Sequence, residues 1–118
     1  MRNTLPDAGD IAWVELDPIR GTEQAGRRPA LFISNRPYHE MSYRSVICPI
    51  TTTERDWPFD VALPPTCATR GFVLVDQVRT IDRSQRMFDF VETVPPEFLA
   101  DVLGRLASLL GLASIAAR

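Results

Sequence analysis

The chain has 118 residues, which is enough for one domain with a single hydrophobic core, and we expect one domain over 1–118. Hydrophobic residues make up 45% and charged residues 24%, as in an ordinary globular protein, and no apolar run approaches the length that a membrane helix needs. The formal net charge of −2 excludes a strongly basic nucleic-acid-binding protein. The first residues, MRNTLPDAGD, lack the apolar centre of a signal peptide, so a cytoplasmic location is expected.

Short apolar stretches separated by turn residues predict a mainly β protein. The predicted strands are, in chain order, IAWVEL (11–16), PALFIS (29–34), SVICPI (45–50), WPFDVAL (57–63), GFVLVDQVRTI (71–81) and RMFDFVETV (86–94). Pro49 indicates that the third strand lies at an edge or ends there, and the fifth is expected to continue or bend near Asp76. Polar residues with proline and glycine predict loops at 17–28 and 35–44, the second with room for a short helix after Pro37.

The last segment, PPEFLADVLGRLASLLGL (95–112), changes to a helical pattern. Two prolines begin it, and Gly111 follows its last leucines, as is typical of helix ends. The apolar positions at helical spacing are Leu99, Val102, Leu103, Leu106, Leu109 and Leu110. Core packing explains this stripe, and a homodimer contact is the alternative. Five to seven short strands followed by one amphipathic helix predict a small, partly open β-barrel closed by the helix.

All 13 cationic side chains are arginines, and most of them lie in two stretches of the chain. Residues 20–44 contain five arginines and residues 70–86 contain four. Each guanidinium group offers a planar, bidentate fork to a phosphate. If the fold brings the two stretches together, they would form a phosphate-binding face on an otherwise acidic protein.

Familiar catalytic motifs are absent from the sequence: it has no glycine-rich phosphate loop, HExxH, GxSxG or CxxC. His39 is the single histidine and lies in a polar segment, so we expect an exposed loop residue and not a catalytic base. Cys48 and Cys67 are expected to be buried or idle thiols and not a disulfide or a metal site. No metal and no cofactor are predicted.

Arginines, hydroxyl groups and isolated carboxylates remain as candidates for chemistry, and cleavage of RNA needs little more. The ribose 2′-hydroxyl already lies beside the phosphorus, so a protein must align it and stabilise charge on the phosphate oxygens. The candidates are Arg27, Arg28, Thr51, Thr52, Thr53, Glu23, Asp76 and Arg79. Each also has an ordinary explanation, such as a solvated charge or an ion pair, so the residues alone leave both interpretations open.

Five segments in a fixed order carry a resemblance to a known family. GDIAWVELDPIRGTEQAGRRPALFIS (9–34) is followed by CPITTT, WPFDVAL, GFVLVDQVRTID and VLGRLASLL. Together they resemble the MazF/PemK (Kid) family of toxin endoribonucleases over roughly residues 9–111. The resemblance implies an SH3-like β-barrel, related to the gyrase poison CcdB, with a C-terminal helix. It also implies a homodimer that cuts single-stranded RNA at short sequences without metal. A cognate antitoxin is expected to cover the RNA groove with a disordered C-terminal segment.

The resemblance further implies roles for individual residues. The arginine of the RP dipeptide, Arg28, and the first threonine after the third strand, Thr51, are implied to be catalytic, together with Glu23 and Asp76. Contacts to RNA bases and phosphates are expected from Gln24, Arg27, Thr52, Trp57, Phe59, Gln77 and Arg79. For one of Trp57 and Phe59, a place in the core is the better interpretation.

The sequence departs from the family pattern at three positions. Thr22 and Leu74 stand where Kid-type members have a histidine and an arginine, so a mechanism that depends on that pair does not carry over. Arg27 stands where MazF-type members can have a histidine. Two other functions stay open: a non-catalytic poison that binds gyrase, and a relative that binds nucleic acid or a peptide without cutting. The retained RP and ITT motifs favour the nuclease, because a pure binder has no need of a phosphate-clamping arginine.

Overall fold

Seven short strands form one antiparallel sheet in the computed structural model, which describes residues 5–16, 26–84 and 88–112. The strands are β1 Asp10–Leu16, β2 Gly26–Phe32, β3 Arg44–Thr51, β4 Asp60–Ala62, β5 Phe72–Leu74, β6 Arg79–Asp82 and β7 Phe88–Thr93. The helices are α1 Arg36–Met41 and α2 Pro96–Leu109, and a 3₁₀ turn covers Val75–Gln77. The predicted mainly β domain with a C-terminal helix is confirmed.

The strand order is β4-β5-β3-β2-β1-β7, and β6 pairs with a second part of β3. Within the described residues the sheet stays open, with β4 and β7 as its end strands. The prediction that Pro49 marks an edge or a strand end is wrong, because β3 has partners on both sides. Arg44 to Ile47 pair with β6, whereas Ile50 and Thr51 pair with β5. Pro49 lies where β3 changes partner, a position at which the missing N–H group is tolerated.

The bend expected near Asp76 is confirmed. β5 and β6 pair with successive parts of β3, but the six-residue step from Val73 to Arg79 faces only a three-residue step of β3. The 3₁₀ turn Val75–Gln77 takes up the three extra residues and bends the chain there. The strand predicted at 57–63 is shorter than expected. Trp57 belongs to a turn, in which its carbonyl accepts the Asp60 N–H at 3.0 Å.

The second strand begins earlier than the sequence indicates. Arg27 and Arg28 were expected in a loop, but they pair with Glu15 and Val14 of β1. Backbone pairing does not depend on apolar side chains, so two charged residues extend the strand while their side chains reach solvent. The rest of the predicted loop, through residue 25, lies outside the described residues.

The hydrophobic residues divide between the two faces of the sheet. One cluster includes Ile11, Leu31 and Ile50 and packs against Phe98 and Val102 of α2. The second cluster covers the other face and consists of Ala12, Val14, Leu16, Ala30, Phe32, Ile47 and Ile81. This division follows from the two-residue alternation along β1 and β2. In the part of the chain that the structure describes, neither helix is long and apolar enough to cross a membrane.

Only part of the leucine stripe of α2 lies in the core. Leu99 and Leu106 are partly buried against the first cluster, whereas Leu103, Leu109 and Leu110 are exposed. Core packing therefore explains one side of the stripe and leaves the other side uncovered in the single chain.

Both cysteines are buried and unpaired, as the sequence predicts. Burial raises the pKa of the Cys48 thiol to about 12, because the thiolate would lose its hydration, and the charge of Asp76 adds to the effect. The thiol is therefore kept in its unreactive form at neutral pH.

The prediction of an exposed His39 is wrong, since the side chain is only 3% exposed. Its Nδ1 lies 2.7 Å from the carbonyl oxygen of Pro6, and its Nε2 lies 2.7 Å from Oγ of Ser34. A neutral ring satisfies both contacts, with Nδ1–H donating to Pro6 and Nε2 accepting from Ser34. Ser34 Oγ in turn accepts the N–H of Val46 at 2.8 Å. The chain segment before β1 covers this ring, which local sequence does not reveal.

We expect acidification to destabilise the protein through His39. Burial is the largest influence on this imidazole and lowers its pKa from 6.5, with Arg83 and Arg36 acting in the same direction against the Pro6 bond and Asp7. At a pH between the folded and the unfolded pKa of His39, the unfolded chain binds more protons than the folded chain. The stabilisation from the neutral, buried ring is therefore fully present above about pH 6.5 and is lost as the pH falls towards the folded pKa. Urea unfolding between about pH 7.5 and about pH 5 measures it. His39→Gln should unfold more easily but show a flatter pH dependence; equal slopes would contradict the assignment.

Candidate functional site

A cleft of about 450 Å³ opens where β2 and β3 separate. Its lining comes from Trp13 of β1, Arg27, Arg28 and Pro29 of β2, Ile50, Thr51 and Thr52 at the end of β3, Ala68, Thr69 and Arg70 of the segment before β5, and Val91 of β7. β2 and β3 pair from Ala30 to Phe32 and from Ile47 to Pro49, and this pairing stops before Arg28 and Thr51. On their other sides β2 stays paired with β1, and β3 is paired with β5. The cleft is the gap that opens where the pairing of β2 with β3 ends.

Arg28 and Thr51 lie across this gap from each other. Ala30 pairs with Pro49, and continuing the register by two residues brings Arg28 opposite Thr51. Because side chains alternate along a strand, a shift of two residues keeps both on the same face. The two residues are 23 positions apart in the sequence, and the ends of two strands place them in one cleft.

Thr51 is held more firmly than a loop residue would be. It is buried, and its Oγ1 accepts the N–H of Thr53 at 3.2 Å. A hydroxyl oxygen that accepts can still donate its own proton, here to a group in the cleft. On the other side Gly71 lies directly against the Thr51 backbone: a Cβ at Gly71 would come within 2.2 Å of the Thr51 carbonyl oxygen.

Two neighbouring side chains hold Arg27 in place. Its Nη2 donates to Oδ2 of Asp89 at 2.6 Å, and its guanidinium lies 5.5 Å from the centre of the Trp13 ring. An ion pair and a cation–π contact together restrict this side chain, although both partners of the ion pair are about half exposed and water screens it. Arg27 therefore has a neighbouring carboxylate to satisfy it before any ligand arrives.

The cleft is positively charged. Arg27, Arg28 and Arg70 line it, and none of the described residues in its lining is acidic. Both arginine-rich stretches of the sequence contribute, as the predicted phosphate-binding face requires. Arg36 and Arg83, from the same two stretches, line a separate cavity of about 680 Å³.

The segment that carries Arg70 is anchored by Glu92 of β7. The carboxylate of Glu92 accepts the N–H of Ala68 at 3.0 Å, the N–H of Thr69 at 2.7 Å and the hydroxyl of Thr69 at 2.7 Å. Partial burial acts to raise the pKa of Glu92, but these three bonds outweigh it and hold the pKa below its ordinary value. A charged Glu92 thus keeps Thr69 and Arg70 at the wall of the cleft.

The other residues singled out from the sequence divide into two groups. Five of them are described by the structure but do not belong to the cleft lining: Asp76, Trp57, Phe59, Gln77 and Arg79. Within this group the indole nitrogen of Trp57 donates to Oδ2 of Asp76 at 2.8 Å. Phe59 packs against the first hydrophobic cluster, whereas Trp57 is exposed. Glu23 and Gln24 lie outside the described residues.

Sequence reasoning missed Trp13, Thr69 and Arg70 as cleft residues. Arg70 carried a signal, since it opens the second arginine-rich stretch and directly precedes the glycine before a strand. Trp13 carried one as well, because an aromatic residue on the outward face of an alternating strand is available to a ligand. No group of three His, Cys, Asp or Glu side chains among the residues that the structure describes could hold a metal ion.

Comparison with known proteins identifies the family. The model of the PemK-like, MazF-like toxins of type II toxin–antitoxin systems matches residues 7–110. The chain belongs to this family. Among curated family members, the endoribonuclease toxin MazF of Escherichia coli K12 is 36% identical over 107 residues, which cover 91% of this chain and 96% of that protein.

Solved structures of the family agree with the fold. MazF from Deinococcus radiodurans superposes with a TM-score of 0.86 at 38% identity, covering 92% of this chain and 99% of that one. The chain matched in a MazE-MazF structure from the same organism has a TM-score of 0.82 at 38% identity, with 93% and 99% covered. The family resemblance identified in the sequence is confirmed, and it extends over nearly the whole chain.

Proposed function

We propose that this chain is the toxin of a toxin–antitoxin pair and cuts single-stranded RNA, mRNA in the cell, at short sequences without a metal ion. Family membership and the endoribonuclease name of the Escherichia coli relative support this function. The observation that carries it is that Arg28 and Thr51 line the same positively charged cleft, whose described lining has no carboxylate. A guanidinium fork beside a hydroxyl donor suits a phosphodiester.

The reaction we propose uses the substrate's own nucleophile. The 2′-oxygen forms a bond to phosphorus while the bond from phosphorus to the 5′-oxygen breaks, which leaves a 2′,3′-cyclic phosphate and a 5′-hydroxyl. Arg28 and the Thr51 hydroxyl bind the non-bridging oxygens and stabilise their charge in the pentacoordinate phosphorane. Alignment of an attacking group that is already in the substrate supplies the rest of the rate enhancement.

Proton transfer needs a group other than Arg28 alone. A guanidinium stays protonated at neutral pH and is a poor proton shuttle. The leaving 5′-oxygen therefore takes its proton from water, or from Arg28 only when that side chain is closely coupled to it. Glu23, Asp76 and water are the three candidates for the group that accepts the proton of the 2′-hydroxyl. The residues that we still predict to contact RNA bases and phosphates are Gln24, Arg27, Thr52, Trp57, Phe59, Gln77 and Arg79.

The partners follow from the same proposal. A cognate antitoxin would cover the RNA groove with a disordered C-terminal segment, and the MazE-MazF structure of the Deinococcus relative supports such a partner. We further propose a homodimer, which is supported by the uncovered leucines of α2, Leu103, Leu109 and Leu110. An mRNA substrate places the activity in the cytoplasm.

A non-catalytic poison that binds gyrase is not favoured. The relative described above is named an endoribonuclease, and this chain has in one cleft the arginine and threonine to which we assign that activity. A protein that only binds a protein target would not need an arginine and a threonine together in one cleft.

The decisive experiment is incubation of the purified protein with a long single-stranded RNA in the presence of EDTA. We expect discrete fragments whose 5′ ends are hydroxyl groups, which polynucleotide kinase labels without prior phosphatase treatment. The same RNA annealed to its complement is the control and should stay intact. Intact single-stranded RNA would contradict the proposal, and trapped gyrase in a parallel assay would support the poison instead. Mapping the fragment ends identifies the cleavage sequence.

A further inference from the structure

Trp57 is a large aromatic side chain that is exposed and yet held in place. It is 47% exposed, its indole nitrogen donates to Oδ2 of Asp76 at 2.8 Å, and its ring lies 5.9 Å from that of Phe59. Phe59 itself packs against the core. The indole is therefore fixed at its polar edge by a carboxylate and along its apolar side by an anchored ring.

The turn that carries Trp57 is closed by further bonds. Arg55 donates to both carboxylate oxygens of Asp60, at 2.7 and 2.8 Å, and the N–H of Asp60 donates to the carbonyl of Trp57 at 3.0 Å. Arg105 of α2 donates to the carbonyl of Pro58. A bidentate ion pair and a link to a packed helix restrict the backbone on both sides of the tryptophan.

Asp76 reaches Trp57 from the 3₁₀ turn between β5 and β6. The N–H of Val75 donates to the carbonyl of Phe59 at 2.9 Å, so the two turns are joined by backbone as well as by side chains. One carboxylate oxygen of Asp76 is occupied by the indole, and Asp76 is not part of the lining of the cleft that contains Arg28 and Thr51. In this position the Asp76 carboxylate is better placed to orient Trp57 than to transfer a proton at that cleft.

Trp57 is within reach of an RNA strand that leaves the cleft. Thr52 lines the cleft, and Trp57 follows it by five residues, which span at most about 18 Å. Aromatic faces stack on any nucleobase, and single-stranded nucleic acids are held by such stacking together with basic grooves. A ring that is already immobile loses little further conformational entropy when a base stacks on it.

We propose, on the basis of the nuclease function above, that Asp76 is a positioning residue. Its carboxylate fixes the indole of Trp57 as a stacking surface for a base of the bound RNA, next to the Arg28–Thr51 cleft. Asp76 thus acts on substrate binding through Trp57, and the proton of the 2′-hydroxyl goes to another acceptor.

The experiment compares Asp76→Asn, Asp76→Ala, Trp57→Ala and the double variant Asp76→Ala/Trp57→Ala with the wild type. The probe for binding is a mixed-sequence single-stranded RNA that is 2′-O-methylated and cannot supply the attacking hydroxyl, and its Kd is measured by fluorescence anisotropy. Values of kcat and KM come from the unmodified RNA. Glu97→Gln removes an exposed carboxylate from α2 and is the control for loss of one negative charge. Thermal unfolding checks that each variant is folded.

We expect Trp57→Ala to weaken binding by about 5- to 100-fold, the range that loss of one base–aromatic stack gives. Asp76→Ala should raise Kd and KM by about 3- to 10-fold with little change in kcat, because the ring remains but loses its orientation. Asp76→Asn should stay within about twofold of the wild type in Kd, since the amide oxygen also accepts the indole N–H. In the Trp57→Ala background, Asp76→Ala should have no further effect, as is expected for coupled residues.

Two results would overturn the proposal. If Asp76→Asn lowers kcat as strongly as Asp76→Ala and leaves Kd unchanged, Asp76 transfers a proton. If Trp57→Ala leaves Kd unchanged, the indole does not contact RNA. Failure of the wild type to cut the unmodified RNA would instead contradict the proposed function, and the binding measurements would still test the stacking surface.

Discussion

Arg28→Ala is expected to lower RNA cleavage by about 10²- to 10³-fold, the typical effect of removing one preorganised donor to a developing negative charge. Arg28 lies at the mouth of β2 across from Thr51, and it is the arginine that this register brings opposite the hydroxyl. Without its fork the charge on the phosphorane oxygens would have to be stabilised by Thr51 and water. The measurement is a single-turnover cleavage rate on a short RNA that contains one mapped cut site.

Arg27→Ala is the matched control, because it removes the same charge from the neighbouring position of the same cleft. Arg27 is paired with Asp89 and lies over Trp13, so we expect its loss to weaken RNA binding a few-fold and to leave the single-turnover rate at saturation nearly unchanged. Arg28→Lys should be intermediate, since it keeps the charge but loses the bidentate geometry.

Arg28 lies near the beginning of β2 and its side chain is only partly buried, so Arg28→Ala should unfold within about 2 kcal/mol of the wild type. Full activity of folded Arg28→Ala would contradict the assignment. An equal loss of rate in Arg27→Ala would also contradict it, because the effect would then come from the total charge of the cleft and not from one guanidinium.

The sequence predicts most of the strands because local alternation determines them. It fails where tertiary pairing overrides local signals. Arg27 and Arg28 resemble loop residues until the register with β1 is known, and Pro49 resembles a strand end until β3 is seen to change partners. His39 has only polar neighbours in sequence, and its burial depends on Pro6, which is 33 residues away.

The candidate site was predictable only in part. Arg28 and Thr51 were among the candidates that residue chemistry gave, and the family resemblance singled them out. Their position on opposite sides of one cleft depends on the register of β2 and β3. Arg70 enters the cleft because Glu92 anchors the preceding residues, a contact more than 20 positions away in the chain. Long-range side-chain contacts of this kind leave no periodic pattern in a single sequence.

Gly71→Ala is expected to be among the most destabilising single changes, by about 2–4 kcal/mol, and to reduce cleavage as well. Gly71 has φ of +126°, which side-chain-bearing residues rarely adopt, and its added Cβ would lie 2.2 Å from the Thr51 carbonyl oxygen and 2.9 Å from the carbonyl carbon. Both neighbours are backbone atoms of the central strand β3, so relief of the clash requires β5 to move away from Thr51. Urea unfolding measures the loss of stability.

Two other glycines separate the causes of this effect. Gly26 has φ of +79°, and no atom of the residues that the structure describes lies within 4 Å of an added Cβ, so Gly26→Ala measures mainly the backbone strain, about 1 kcal/mol. Gly104 lies inside α2 with equal space, and Gly104→Ala should stabilise the protein by up to about 1 kcal/mol through helix propensity. If Gly71→Ala lowers the free energy of unfolding no more than Gly26→Ala does, the close contact with Thr51 is not the reason why position 71 requires glycine. If it costs more and the folded fraction cleaves RNA slowly, the approach of Gly71 to Thr51 positions the hydroxyl on which the proposed chemistry depends.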